Sequence, residues 1–88
     1  MSHHRWVKGA KRVPNKIAVG DKLHMRLNIE VSLIEYDCVV TRVWGNGNFM
    51  LKAEHPPTEE VQEYKFDKTG YVLNVGTRKR KAQITRIP

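Results

Sequence analysis

An alternation of apolar and polar residues over residues 23–33 constrains the fold of this 88-residue chain more than any other feature. The residues between the apolar positions are all polar, and the apolar positions are Leu23, Met25, Leu27, Ile29, Val31 and Leu33. A period of two is that of a β-strand with one buried face, and a helix, whose period is 3.6, cannot produce it. The segment therefore predicts a strand, bent or broken once, that packs one face on a core.

Turn signals divide the next part of the chain into two more strands. The phase of the alternation shifts around residues 34–37, which predicts a tight turn or a bulge there. The segment "CVVTRVW" (residues 38–44) predicts a second strand, and one of its faces carries Cys38, Val40, Arg42 and Trp44. The segment "GNGN" (residues 45–48) predicts a hairpin turn, because Asn and Gly tolerate positive φ, and "FMLKAE" (residues 49–54) is the third strand.

The remainder of the chain also has the pattern of short strands and turns. Two prolines within residues 55–58 end the third strand, since proline cannot donate a hydrogen bond to a sheet. The next element is either one helical turn capped by Thr58 or a strand over "VQEYKF" (residues 61–66). The segment "DKTG" (residues 67–70) predicts a turn, and the last two strands are "YVLNV" and "AQITRI" (residues 71–75 and 82–87).

Five or six short strands joined by hairpins predict an all-β antiparallel domain. A sheet of this size is expected to curl into a small SH3-like or OB-like barrel, because closure removes exposed strand edges. Residues 1–16 have no apolar period and are interrupted by Gly9 and Pro14, which indicates a flexible basic arm. We therefore expect an arm over residues 1–16 and one barrel domain over residues 17–88.

Several turn segments of the chain resemble those of small β-barrel orphan proteins of phages and mobile elements. They are "VGDKL" at the first strand, the Gly-Asn hairpin, and "YKFDKTGY" (residues 64–71). The likeness covers residues 19–76 loosely. SH3-like nucleic-acid modules are similar to the same degree, although the full glycine pattern of their shared loop motif is missing. The resemblance implies a small β-barrel fold and no functional residues.

The net charge of +7 is concentrated at the two ends of the chain. Residues 1–26 hold seven bases and one acid, residues 27–76 four bases and eight acids, and residues 77–88 five bases and no acid. Such an asymmetry favours a polyanionic partner, DNA or RNA. The first and last strands of a small barrel are commonly neighbours, so the arm and the run at residues 78–81 are expected to form one phosphate-binding face. Its residues are Lys8, Lys11, Arg12, Arg78, Lys79, Arg80 and Lys81.

The two tryptophans are candidates for stacking on unpaired bases. Trp44 lies at the end of a strand beside Arg42, an arrangement typical of stacking platforms, but it also fits a residue that packs over one end of the barrel. Trp6 lies between Arg5 and Lys8 and is expected to be exposed. Arg42, Trp44 and Trp6 therefore join the predicted nucleic-acid-binding residues.

No combination of residues predicts catalysis, a cofactor or a metal site. The single cysteine, Cys38, alternates with Tyr36 and Val40 and is expected to be a half-buried thiol rather than a nucleophile. With one cysteine and four histidines, the spacing of a structural zinc site is missing, and no internal disulfide can form. No apolar run is long enough for a membrane span or a secretory signal, so we expect a cytoplasmic protein without membrane contact.

The sequence thus favours a non-catalytic, nucleic-acid-binding small β-barrel with modest sequence preference, because phosphate contacts carry little sequence information. Single and double strands, DNA and RNA, and all oligomeric states remain open. The alternative is a protein-interaction module, such as a phage-type regulator that docks on an acidic protein partner. It would use the same basic face or the exposed edge of a β-sheet.

Overall fold

The computed structural model describes residues 13–29, 32–54, 63–76 and 79–87. It contains five strands and, within those residues, no helix. The strands are β1 (Lys22–Ile29), β2 (Ser32–Val43), β3 (Phe49–Ala53), β4 (Glu63–Phe66) and β5 (Gln83–Arg86). The prediction of an all-β antiparallel domain is confirmed. Of the two alternatives for residues 58–66, the strand is present as β4, and the proposed helical turn lies outside the described residues.

The strands form one sheet in the order β4-β3-β2-β1-β5, and every neighbouring pair is antiparallel. Strands β1 and β2 are joined by a tight hairpin, since Ile29 pairs with Ser32. The tight turn or bulge predicted at residues 34–37 is therefore wrong, because these residues lie within β2 and pair with β1 without a shift of register. A connection of two residues moves the core-facing positions from odd numbers in β1 to even numbers in β2, which explains the shift of phase in the sequence. Leu33 continues the alternation but faces solvent, with 46% of its surface exposed.

One face of the sheet carries the hydrophobic core. Its fully buried larger side chains come from all five strands and are Leu23, Met25, Leu27, Cys38, Val40, Phe49, Leu51, Phe66 and Ile84. The rings of Phe49 and Phe66, which are paired across β3 and β4, stack with centroids 5.5 Å apart. Burying one such side chain contributes about 1.5–3 kcal/mol, so this face is the main source of stability.

The two edge strands, β4 and β5, are linked through the segment 70–72 rather than directly. Val72 forms an isolated bridge with Phe66, and Tyr71 forms one with Lys81. The amide of Val72 donates to the carbonyl of Arg80 at 2.9 Å, and the amide of Ala82 to that of Gly70 at 3.0 Å. The strand predicted over residues 71–75 is thus reduced to two bridging residues, and the named strands form an open sheet. Closure into an SH3-like or OB-like barrel stays a prediction.

The segment before β1 is held against the core. Val13 and Ile17 pack on the buried cluster. The guanidinium of Arg86 on β5 donates to the carbonyl of Asn15 at 2.6 Å and to the carboxylate of Asp21 at 3.1 Å. Of the predicted arm, residues 1–12 lie outside the described part of the chain. Residues 13–16 are held by the packing of Val13 and by the hydrogen bonds from Arg86 to the carbonyls of Asn15 and Lys16. The proposed boundary between arm and domain stays a prediction.

Candidate nucleic-acid interface

A β-bulge in β2 decides which way Trp44 and Arg42 face. Val40 pairs with Leu51 on the core side, but the next pair joins Arg42 to Met50, so Thr41 is an extra residue in β2. The bulge reverses the alternation. The prediction that Arg42 and Trp44 share a face with Cys38 and Val40 is therefore wrong. Cys38 and Val40 are buried, whereas Arg42 lies with Met50 on the opposite, solvent side of the sheet.

Trp44 is flanked by two cations on this solvent side. The Cζ atom of Arg42 lies 4.9 Å from the centroid of the indole ring, and the Nζ atom of Lys65 lies 4.6 Å from it. Lys65 reaches the ring because it pairs with Met50, which in turn pairs with Arg42 across β4, β3 and β2. Each such contact at an exposed site is worth about 0.5–1 kcal/mol. Trp44 is half-buried and is not among the residues of the core cluster, so it is not a core residue. That it covers one end of a barrel stays a prediction.

A second ring with two cations lies at Tyr71. The Nζ atoms of Lys79 and Lys81 are 5.1 Å and 5.9 Å from the centroid of its ring. The bridge between Tyr71 and Lys81 fixes their backbones side by side. Sequence reasoning missed Lys65, and it missed Tyr71. The only signal was its position directly after the "DKTG" turn, and its partners lie eight and ten residues further along the chain.

The two rings lie on the same side of neighbouring segments. The amide of Leu73 donates to the carbonyl of Lys65 at 2.7 Å, and the amide of Lys65 donates to the side chain of Asn74 at 2.9 Å, so this segment runs along β4. Val72 is buried, which places Tyr71 and Leu73 on its solvent side. Lys65 and Tyr71 then lie near each other on that side, because Leu73, whose amide bonds Lys65, is two residues from Tyr71. We call the set Arg42, Trp44, Lys65, Tyr71, Lys79 and Lys81 the aromatic–cation surface.

The ion pairs of the described residues lie elsewhere. Lys22 pairs with Glu54, Arg86 pairs with Asp21 at 3.1 Å, and His24 contacts two carboxylates. None of the four cations of the aromatic–cation surface takes part in these pairs. Among the described residues, their charged groups lie over aromatic rings rather than beside carboxylates.

Asp67, at the start of the turn before Tyr71, uses its carboxylate within that turn. Its Oδ1 atom accepts hydrogen bonds from the amide of Thr69 at 2.9 Å, from the hydroxyl of Thr69 at 2.7 Å and from the amide of Tyr71 at 3.0 Å. Desolvation raises the pKa of Asp67, but these hydrogen bonds outweigh it and hold the pKa below its ordinary value. The carboxylate therefore fixes the backbone that presents Tyr71.

The other predicted site residues have different outcomes. Arg80 is half-buried, and its carbonyl accepts the hydrogen bond from Val72. Lys79 and Lys81 are exposed and belong to the aromatic–cation surface. The remaining predicted residues lie outside the described part of the chain; these are Trp6, Lys8, Lys11, Arg12 and Arg78. Whether the N-terminal arm adjoins the run at residues 78–81 therefore stays a prediction.

Outside this surface, His24 uses its ring nitrogens in hydrogen bonds within the sheet. Partial burial lowers the pKa of His24, but hydrogen bonds to Asp37 at 2.8 Å and Glu35 at 2.7 Å outweigh it, and the pKa is raised above its ordinary value. Both ring nitrogens are used in these bonds. Within the ranges that the structure describes, no group of three or more histidine, cysteine or acidic side chains is arranged to hold a metal ion.

Cys38 is more deeply buried than predicted. None of its surface is exposed, and this burial raises the pKa of its thiol to about 12. A thiol is nucleophilic only as the thiolate, so Cys38 is inert near neutral pH. The described residues also include no helix long and apolar enough to cross a membrane.

A scan of protein-family models finds no match to this chain, and searches of curated proteins and of solved structures find none either. The resemblance to phage and mobile-element orphan proteins therefore stays a prediction. Any statement of function has to rest on the geometry of the chain itself.

Proposed function

We propose that this protein binds nucleic acid without catalysing a reaction, and that the aromatic–cation surface is its binding site. The observation that carries the proposal is the position of Trp44 between Arg42 and Lys65, two cations that no carboxylate of the described residues neutralises. Arginine and lysine neutralise phosphates and release counterions, and an adjacent aromatic ring adds a surface for a base. The basic ends of the chain would extend the same phosphate contacts.

The proposal includes the shape of the scaffold. We expect the sheet to curl into a small barrel of the SH3-like or OB-like class, with the aromatic–cation surface on its outside. The support is the position of residues 70–72, which bridge Phe66 of β4 on one side and Lys81, shortly before β5, on the other. Those are the contacts that a closed barrel of these strands would extend.

The test is direct binding of fluorescently labelled single-stranded DNA, duplex DNA and RNA, followed by anisotropy at low and at physiological salt. A variant with glutamine in place of Arg42, Lys65, Lys79 and Lys81 removes the four charges and retains much of each side chain. Circular dichroism checks that it is folded. We expect micromolar binding by the natural chain at low salt and a large loss in the variant.

An acidic protein partner, the alternative from the sequence, gives a different result in the same experiment. No binding of any nucleic acid at low salt would contradict the proposal and leave the protein-interaction hypothesis. Equal binding by the natural chain and the four-site variant would place the nucleic acid elsewhere on the chain and contradict the assignment of the site.

A further inference from the structure

We infer that the ligand of the aromatic–cation surface is a single-stranded nucleic acid, and that Trp44 and Tyr71 each stack on one unpaired base. This inference rests on the proposed function. It specifies that the nucleic acid is single-stranded and that Tyr71 stacks on a base as Trp44 does. The rings contact bases, and the four cations contact the phosphates beside them.

Both rings are half-buried, and the cations over them show which side faces solvent. Arg42, Lys79 and Lys81 are exposed side chains, yet their charged groups lie over a ring. A ring face covered by an exposed cation is therefore on the outside of the molecule. The cation can swing aside because its contact with the ring is weak at an exposed site. A base then takes its place over the ring, and the displaced charge remains close enough for the phosphate of the same nucleotide.

A duplex offers no unpaired base that could stack on these rings. Within a duplex each base is stacked on its neighbours, and a protein meets only phosphates and groove edges. A surface that binds only phosphates requires cations alone. Here the cations are arranged in pairs around a ring at two places, and this combination of aromatic rings with positive charge is typical of single-strand binding.

Both rings are attached to backbone that is hydrogen-bonded to neighbouring segments. Trp44 directly follows β2 and its amide donates to the carbonyl of Asn48 at 2.8 Å, whereas Tyr71 is fixed by its bridge to Lys81. Lys65 connects them, since its side chain lies over Trp44 and its backbone binds Leu73, two residues from Tyr71. One short strand can therefore reach both rings without any rearrangement of the sheet.

The experiment uses the full chain with Trp6→Phe, which leaves Trp44 as the only tryptophan of the two in the sequence. Oligothymidylate, oligouridylate and an oligothymidylate–oligoadenylate duplex of equal length are titrated at one salt concentration. We expect quenching of Trp44 fluorescence by both single strands and little quenching by the duplex. Tyr71→Leu should weaken single-strand binding about 10-fold, the loss typical of one stacked base, whereas Tyr71→Phe retains the ring and should bind nearly as the natural residue does.

Leu33→Ala is the matched control, because Leu33 is an apolar side chain, 46% exposed, near the start of β2 and so at the other end of that strand from Arg42 and Trp44. It should change neither the affinity for the single strands nor the affinity for the duplex. Equal affinity for single strand and duplex, with no quenching and no effect of Tyr71→Leu, would overturn this inference while phosphate binding persists. Absence of binding to every oligonucleotide at low salt would overturn the proposed function as well. If Tyr71→Leu does not fold, the quenching of Trp44 still decides the question.

Discussion

Removing the charges of Arg42 and Lys65 should change the salt dependence of binding by a calculable amount. Each phosphate neutralised on a single strand contributes about −0.7 to the slope of log affinity against log salt. The double variant Arg42→Gln, Lys65→Gln should therefore bind with a slope that is shallower by about 1.4. When salt rises from about 0.05 M to about 0.2 M, the affinity of the natural chain should therefore fall by a factor about 7 times larger than that of the variant.

The assay is anisotropy of a labelled oligothymidylate over that salt range. The matched control is Lys16→Gln, Lys22→Gln, which also lowers the net charge from +7 to +5. Lys16 precedes β1, and Lys22, which begins β1, is already paired with Glu54. The control should retain the natural slope. If both double variants flatten the slope equally, the charge acts through the total field of the protein, and the assignment of phosphate contacts to Arg42 and Lys65 is refuted.

Three further predictions concern the scaffold. Because the pKa of His24 is raised in the folded chain, its contribution to stability is complete below the unfolded pKa of 6.5 and is lost as pH rises through the folded value. The free energy of unfolding in urea should therefore fall as pH rises above 6.5, and His24→Gln should flatten this fall. The Cys38 thiol should not react with a disulfide reagent near neutral pH until urea unfolds the chain, and rapid reaction without urea would contradict its burial. Gly70→Ala should destabilise by about 1 kcal/mol or more in urea unfolding, because φ is +99° and the new Cβ would lie 3.0 Å from a side chain, whereas Gly45→Ala meets nothing within 4 Å and should cost less.

Local sequence signals were sufficient for β1 and for two of the turns. The alternation over residues 23–33 predicted a strand that begins where β1 does, and the "GNGN" and "DKTG" segments predicted turns that the structure contains. In both turns a glycine adopts positive φ, Gly47 at 94° and Gly70 at 99°. These features depend on a few consecutive residues, which is why they can be recognised in the sequence.

The errors came from features that depend on pairing between strands. The two-residue hairpin after Ile29 changes the parity of the core positions, and the sequence therefore predicts a tight turn or a bulge at residues 34–37, which lie within β2. The bulge at Thr41 turned Arg42 away from the core, and a bulge is visible only in the register with β3. The bridge from Tyr71 to Lys81 joins residues ten positions apart, and Lys65 reaches Trp44 through the pairing of β4 with β3. The sequence therefore indicated Arg42, Trp44, Lys79 and Lys81, but neither Lys65 nor Tyr71.

The measurement that tests the aromatic–cation surface most directly is a residue-by-residue map of chemical-shift changes by NMR. The ¹⁵N-labelled chain is titrated with unlabelled oligothymidylate at low salt. We predict that the largest changes occur at the indole of Trp44 and at the amides of Arg42, Lys65, Tyr71 and Lys81. Changes centred instead on His24 and its carboxylate partners, or no changes at any of the five residues, would contradict the account.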